Sequence, residues 1–145
     1  MRYLLVLRIV GILLTLVAVA MVACGLFALV DPVPGEAKAI PAMFISAGCT
    51  GGIALVMMAL AGVRRFKGKL LRREAVVIVG LGWLLSSALG GLPYLLCPPH
   101  LDWAAALFES TSGFTTTGST VMLDIESWPR GLLMWRSITP VSYTH

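Results

Sequence analysis

Charged residues are scarce in this chain. Only 12% of its 145 residues are charged, whereas 58% are hydrophobic. An ordinary soluble domain has about 25% charged residues, so this chain lacks the polar surface that such a domain needs. The composition therefore predicts an integral membrane protein, whose first partner is the lipid bilayer.

Side chains suited to metal binding or covalent chemistry are also few. Cys24, Cys49 and Cys97 each stand alone in an apolar run, without the spacing of a metal site or a disulfide framework. We interpret them as small buried residues, and His100, beside two prolines, as a solvated loop residue. No nucleophile–base pair is visible, so we expect no enzyme activity, no catalytic residues, no cofactor and no transition-metal site.

The positive charge is concentrated in one short segment. Six of the eleven lysine and arginine residues lie within Arg64–Arg73, and the formal net charge is +4. A basic loop between apolar runs is typical of the cytoplasmic side of a membrane protein. Apart from Phe66, no aromatic residue lies among these cations, whereas many single-strand-binding surfaces alternate the two kinds, so we expect no nucleic-acid partner. The N-terminus is then cytoplasmic as well.

Three uncharged runs are long enough to cross a bilayer, which needs about 20 helical residues. They are Ile9–Val30, Pro41–Val63 and Ala75–Cys97. The first run could instead be read as a lipoprotein signal ending near Cys24, but it is longer than the apolar region of a signal peptide. The second contains a GxxxG pattern from Gly48 to Gly52, which permits close helix packing.

The next segment is too short to span. Trp103–Phe114 is helix-like over only twelve residues and is followed by Thr115–Gly118, a Thr-Thr-Thr-Gly sequence. Non-helical backbone at membrane depth is tolerated where it lines a cavity, and backbone carbonyls can replace the hydration shell of a cation. The pattern favours a re-entrant pore loop over a phosphate-binding loop, since Ser119 stands where that motif requires lysine. A threonine-rich surface loop remains the alternative.

The run from Phe108 to Thr120, followed by Trp135-Arg136-Ser137, resembles the first pore loop of the TrkH-type potassium-uptake proteins, within the Trk/Ktr/HKT superfamily. The order of the preceding segments, including the Gly-Gly-Leu-Pro at residues 90–93, is also similar. The resemblance implies a transporter in which four helix–pore-loop–helix units surround one ion path. It further implies a homodimer in the bacterial inner membrane, controlled by a cytoplasmic nucleotide-binding subunit.

The resemblance also implies roles for individual residues. The potassium-binding filter positions are Thr115, Thr116, Thr117 and Gly118, with most weight on the carbonyls of the second and third threonines. Ser119 and Thr120 would border the outer mouth, and Ser119 would also support the filter. For Glu109 we weighed attraction of cations against support of the filter backbone, and we favour support because a buried carboxylate needs hydrogen-bond donors.

We therefore expect an all-α integral membrane fold in three parts. Residues 1–74 form two transmembrane helices and the basic loop, and residues 75–139 form an incomplete helix–pore-loop–helix unit. Residues 140–145 depart from the family pattern and resemble a foreign or frameshifted tail. The expected function is potassium transport by the parent protein, of which this chain is a fragment. The alternative is a small membrane scaffold that acts through the GxxxG helix.

Overall fold

Six helices make up the part of the chain that the computed structural model describes, which is residues 3–30, 36–62, 71–122, 125 and 128–139. Their bounds are Tyr3–Val30 (α1), Glu36–Ala61 (α2), Arg72–Gly90 (α3), Leu92–Leu96 (α4), Trp103–Phe114 (α5) and Arg130–Ile138 (α6). No strand occurs among these residues. The all-helical prediction is therefore confirmed for them.

Three stretches are long and apolar enough to cross a membrane, as the sequence predicts. They are Tyr3–Val30, Ala37–Ala61 and Arg72–Leu96. At a rise of about 1.5 Å per residue, each exceeds the roughly 30 Å of a hydrocarbon core. Helix α1 begins six residues before the uncharged run that we identified, because Arg8 lies within the helix.

Helices α1 and α2 pack closely along their lengths, and glycines on α1 make this possible. A Cβ atom added to Gly11 would lie 2.9 Å from Met58 Cγ, and one added to Gly25 would lie 3.3 Å from Met43 Cβ. The backbone of α1 therefore approaches α2 more closely than a side chain would permit. This follows the small-residue packing that is common between membrane helices.

The GxxxG pattern of α2 does not take part in that packing. Cβ atoms added to Gly48 or Gly52 would meet nothing within 4 Å, whereas one added to Gly51 would lie 3.7 Å from Ala18 Cβ. Cys49 lies on the same exposed side of α2, so our interpretation of it as a buried residue is wrong. The interpretation is right for Cys24 and Cys97.

The third uncharged run is divided into two helices. Gly91 separates α3 from α4, and Pro93, near the start of α4, lacks the N–H that would continue a helical ladder. Helix α3 also begins earlier than we predicted, at Arg72, with the buried Glu74 accepting from the backbone N–H of Leu71 at 3.2 Å. Residues 63–70 of the basic loop lie outside the described residues.

The short helices α5 and α6 complete the arrangement around one apolar cluster. Helix α5 packs on α3 and α4, and α6 packs on α1, α2 and α5. The largest fully buried side chains of the cluster are Met21, Met43, Tyr94, Leu132 and Trp135. This packing fixes the C-terminal end of α5 between α3 and α6. The threonine–glycine turn, Thr115–Gly118, begins there. The predicted tail at residues 140–145 lies outside the described residues.

Candidate functional site: a threonine–glycine turn at the end of a half-helix

Helix α5 has the bounds that the sequence predicts, and both of its ends are capped. At its start, the Asp102 carboxylate accepts from the backbone N–H of Ala105 at 2.9 Å. A carboxylate there satisfies an otherwise unpaired N–H and complements the positive end of the helix dipole. The negative end is therefore directed at the residues that follow Phe114.

The chain leaves α5 through a Schellman turn. The N–H of Thr116 donates to the carbonyl of Gly113 at 3.0 Å, and the N–H of Thr117 donates to that of Ser112 at 2.9 Å. Thr116 occupies the left-handed position of this motif, with φ of +61°. That position usually holds glycine, and a β-branched residue there is a true conformational outlier.

The turn leaves a row of carbonyls free. In a trans peptide the carbonyl points opposite to the following N–H, so the carbonyls of Thr115 and Thr116 point away from α5. Gly118 also has a positive φ, +75°, so φ changes sign at successive residues from Thr116 to Gly118. Among the described residues, nothing donates a hydrogen bond to the carbonyls of residues 115–118. Oxygen atoms arranged in this way are suitable ligands for a monovalent cation.

Hydroxyl groups hold the turn from both sides. The Thr115 hydroxyl donates to the Thr111 carbonyl at 2.7 Å and lies 2.8 Å from the Thr117 hydroxyl. The Ser112 hydroxyl donates to the Ser119 carbonyl at 2.6 Å. The carbonyl of Ser119 is therefore bound to α5, unlike the carbonyls that precede it. Ser112 was not identified from the sequence.

Glu109 connects α5 to the residues after the turn. Its carboxylate accepts from the Thr120 hydroxyl at 3.0 and 3.1 Å and from the Val121 N–H at 3.1 Å. The Arg136 Nε on α6 donates to the same carboxylate at 2.6 Å. The Glu109 side chain is only 2% exposed, against 26% for Arg136. These contacts are of the kind that a supporting role for Glu109 requires.

A cavity of about 230 Å³ lies beside the turn. The residues that line it include Glu109, Arg136, Gly118 and Ser119. A Cβ added to Gly118 would meet no atom of the described residues within 4 Å. The volume is enough for several water molecules, which need about 30 Å³ each in the liquid.

Aromatic contacts fix α6 against the base of the turn. The indole N–H of Trp135 donates to the Gly90 carbonyl at 3.1 Å. The Trp135 ring meets that of Phe114 edge to face, with centroids 6.1 Å apart, a favourable aromatic geometry. A Cβ on Gly113 would lie 2.5 Å from Thr139 Oγ1, so the end of α6 touches the last turn of α5.

Several curated proteins with similar sequences are described as the Trk system potassium uptake protein TrkH. The Trk system potassium uptake protein TrkH of Salmonella typhimurium is 36% identical over 132 residues, which cover 90% of this chain and 26% of the relative. TrkH of Vibrio parahaemolyticus is 33% identical over 137 residues, covering 94% of this chain and 27% of the relative. The crystal structure of the potassium transporter TrkH from Vibrio parahaemolyticus matches 96% of this chain and 29% of that one, at 31% identity and a TM-score of 0.85.

This chain is similar in sequence and in fold to part of the TrkH-type potassium-uptake proteins. No family model matches it, so this likeness depends on the agreement between the pairwise sequence matches and the structural match. The chain spans about a quarter of the length of the curated relatives that it matches. The likeness and the three candidate spans together make it a multi-pass membrane protein.

The structure brings the predicted filter residues and their predicted support into one site. Thr115 and Thr116 are half-buried, Thr117, Gly118 and Ser119 are exposed, and Glu109 is buried. Their roles stay predictions. Sequence analysis missed Ser112 and the ion pair with Arg136. The ion pair had a signal, because an isolated charge in each of two apolar segments requires a partner within the membrane.

Proposed function

We propose that this chain forms part of the ion path of a Trk-type potassium uptake protein, with residues 115–118 as one of its filter segments. The carbonyls of Thr116 and Thr117 are the first candidates for potassium ligands, followed by that of Thr115. Gly118 is the second residue with a positive φ, a conformation that glycine adopts readily. The observation that carries this proposal is the Schellman turn, which binds the N–H groups of Thr116 and Thr117 and leaves their carbonyls without donors.

The proposal explains why a threonine is held in a left-handed conformation. Such strain costs about 1–3 kcal/mol and is found mainly at functional sites. In this chain it turns the carbonyls away from α5, while the helix dipole directs its negative end at the same place. Both effects favour a cation close to the turn. The bonds of Glu109 to Val121 and of Ser119 to Ser112 then hold the segment against α5.

We place the whole protein in the bacterial inner membrane with its N-terminus in the cytoplasm. The basic segment Arg64–Arg73 supports this orientation through the positive-inside rule. From the family resemblance we further propose a homodimer and a cytoplasmic nucleotide-binding regulatory subunit. Cross-linking of the intact protein in membranes would test the dimer.

A chimeric transporter tests the function. Residues 3–139 replace the matching segment of Vibrio parahaemolyticus TrkH, and the chimera is produced in a bacterium that lacks its own potassium uptake. We expect growth and rubidium uptake at low potassium, as with the unchanged relative. The matched control is Thr116→Pro, which removes the N–H bonded to Gly113 and cannot adopt a positive φ.

The outcome is read at equal amounts of chimera in the membrane. Uptake by the chimera and its absence in the proline variant support the filter assignment. Equal uptake by both would show that the turn does not contact the ion. A membrane-inserted chimera without uptake, beside an active relative, would refute the proposed function.

A further inference from the structure

Among the described residues, three donate to the Glu109 carboxylate. Thr120 and Val121 belong to the segment that follows α5, whereas Arg136 lies on α6. Its Nε lies 2.6 Å from Glu109 Oε1, and its side chain is 26% exposed. Glu109 in turn holds the Thr120 hydroxyl and the Val121 N–H. The Thr120 hydroxyl also accepts from the Met122 N–H at 3.1 Å. A continuous chain of bonds therefore runs from α6 to the segment after the turn.

The carboxylate depends on this arrangement. A buried charge is tolerated where it is both paired and hydrogen-bonded, and Glu109 has an arginine, a hydroxyl and a backbone N–H around it. If Arg136 were removed, the carboxylate would have to take up water or a proton, or else turn towards the cavity that it lines. Each of these responses would change its bonds to Thr120 and Val121.

Helix α6 is well suited to impose its position on the turn. Trp135 is bound to the Gly90 carbonyl, and Thr139 lies against Gly113 in the last turn of α5. Arg136 lies between these two contacts along α6. Helix α6 therefore packs against the base of the turn. Through the ion pair of Arg136 with Glu109, it also acts on Thr120 and Val121, which follow the outer end of the turn.

We propose that Arg136 is a positioning residue, which acts through Glu109 to fix the outer end of the threonine–glycine turn and so sets its selectivity among monovalent cations. A displacement of α6 would then change the filter as well as the packing around it. The inference rests on the proposed function, since a turn without an ion would have no selectivity to set.

Variants at position 136 separate the charge from the hydrogen bond. In Arg136→Gln, the amide nitrogen stands the same number of bonds from Cα as the arginine Nε, so a neutral donor can still reach Glu109. Arg136→Met keeps much of the length without a donor. Ser137→Ala is the control, because it changes the adjacent cavity residue, whose hydroxyl bonds only to Leu133 within α6.

The measurements are made on the same chimera in membrane vesicles. They are the ratio of potassium to sodium uptake, the half-saturating potassium concentration and the maximal rate. Loss of a hydrogen bond to a charged group corresponds to a change of about tenfold or more. We expect Arg136→Met to reduce the potassium-to-sodium ratio by about that factor, Arg136→Gln to reduce it less, and Ser137→Ala to leave it unchanged.

The outcomes distinguish the two proposals. Transport by the parent chimera with an unchanged ratio in Arg136→Met would overturn the positioning role and leave the proposed function intact. The same holds if the maximal rate falls while the ratio stays constant, because that is a purely structural effect. If Arg136→Met fails to reach the membrane, Arg136→Gln and Glu109→Gln decide by the same ratio. A parent chimera without transport would end both proposals.

Discussion

The left-handed threonine provides the most discriminating test of the site. Replacing Thr116 by glycine removes a β-branched side chain from φ of +61°. Left-handed geometry costs an ordinary residue about 1–2 kcal/mol, while glycine adds about 0.4–1 kcal/mol of entropy to the unfolded chain. The backbone N–H that donates to Gly113 is retained. We expect Thr116→Gly to stabilise the folded protein by about 0.5–1 kcal/mol.

The same substitution should weaken the ion site. Without the threonine side chain the turn can adopt other conformations, so its carbonyls are less well preorganised for the cation. An ion present at about 100 times its dissociation constant stabilises the folded state by about 2.7 kcal/mol. A tenfold weaker site would lose about 1.3 kcal/mol of that stabilisation. Thr116→Gly should therefore stabilise the folded protein in sodium, where the release of strain acts alone. In potassium it should destabilise the folded protein, because the loss of ion binding exceeds that gain.

The assay is thermal unfolding of the purified chimera in matched sodium and potassium solutions. We expect the variant to melt at a higher temperature than the parent in sodium, and to gain less when potassium replaces sodium. Thr120→Ser is a suitable control, because it keeps a hydroxyl that can bond to Glu109 and lies outside the turn. An undiminished potassium increment in Thr116→Gly would refute the argument that strain organises the site.

Three further substitutions test other parts of the structure. Gly118→Ser adds a Cβ that meets no described residue within 4 Å but strains the backbone at φ of +75°, so we expect potassium-over-sodium uptake to change; unchanged selectivity would contradict the filter assignment. Gly90→Ala places a Cβ 2.5 Å from Phe114 Cε2, and chemical denaturation should show a loss of about 1–3 kcal/mol from overpacking. Gly48→Ala fills open space and should leave uptake and stability unchanged, whereas the scaffold alternative requires it to disrupt association with a partner.

The short helix α5 was predictable because the features that define it are local in the sequence. Its twelve residues are too few to span, and polar residues that cannot continue an apolar helix follow them. These features define Trp103–Phe114 without knowledge of any contact. The early start of α3 was missed because we assigned the charges of Arg72–Glu74 to the loop. In the structure Glu74 accepts from the backbone N–H of Leu71, which is a favourable use of a negative charge at the start of a helix.

The interior of the site was less accessible to sequence reasoning. A β-branched residue is an unfavourable choice for a left-handed position, so local propensity points away from the conformation of Thr116. The choice of Gly51, rather than Gly48 or Gly52, for the contact with α1 depends on how α2 is rotated. That rotation is set by the packing of whole helices, and the spacing of small residues in α2 is compatible with more than one outcome.

The ion pair behind the turn has a consequence for biosynthesis. Arg136 follows Glu109 by 27 positions, and at about 5–20 residues per second it leaves the ribosome about 1–5 seconds later. During that interval the carboxylate has no cation from α6, and a lone charge is costly inside a bilayer. With Glu109 ionised, we therefore expect α5 to settle at its final depth after α6 has been synthesised. The threonine–glycine turn is thus completed by a part of the chain that is made after it.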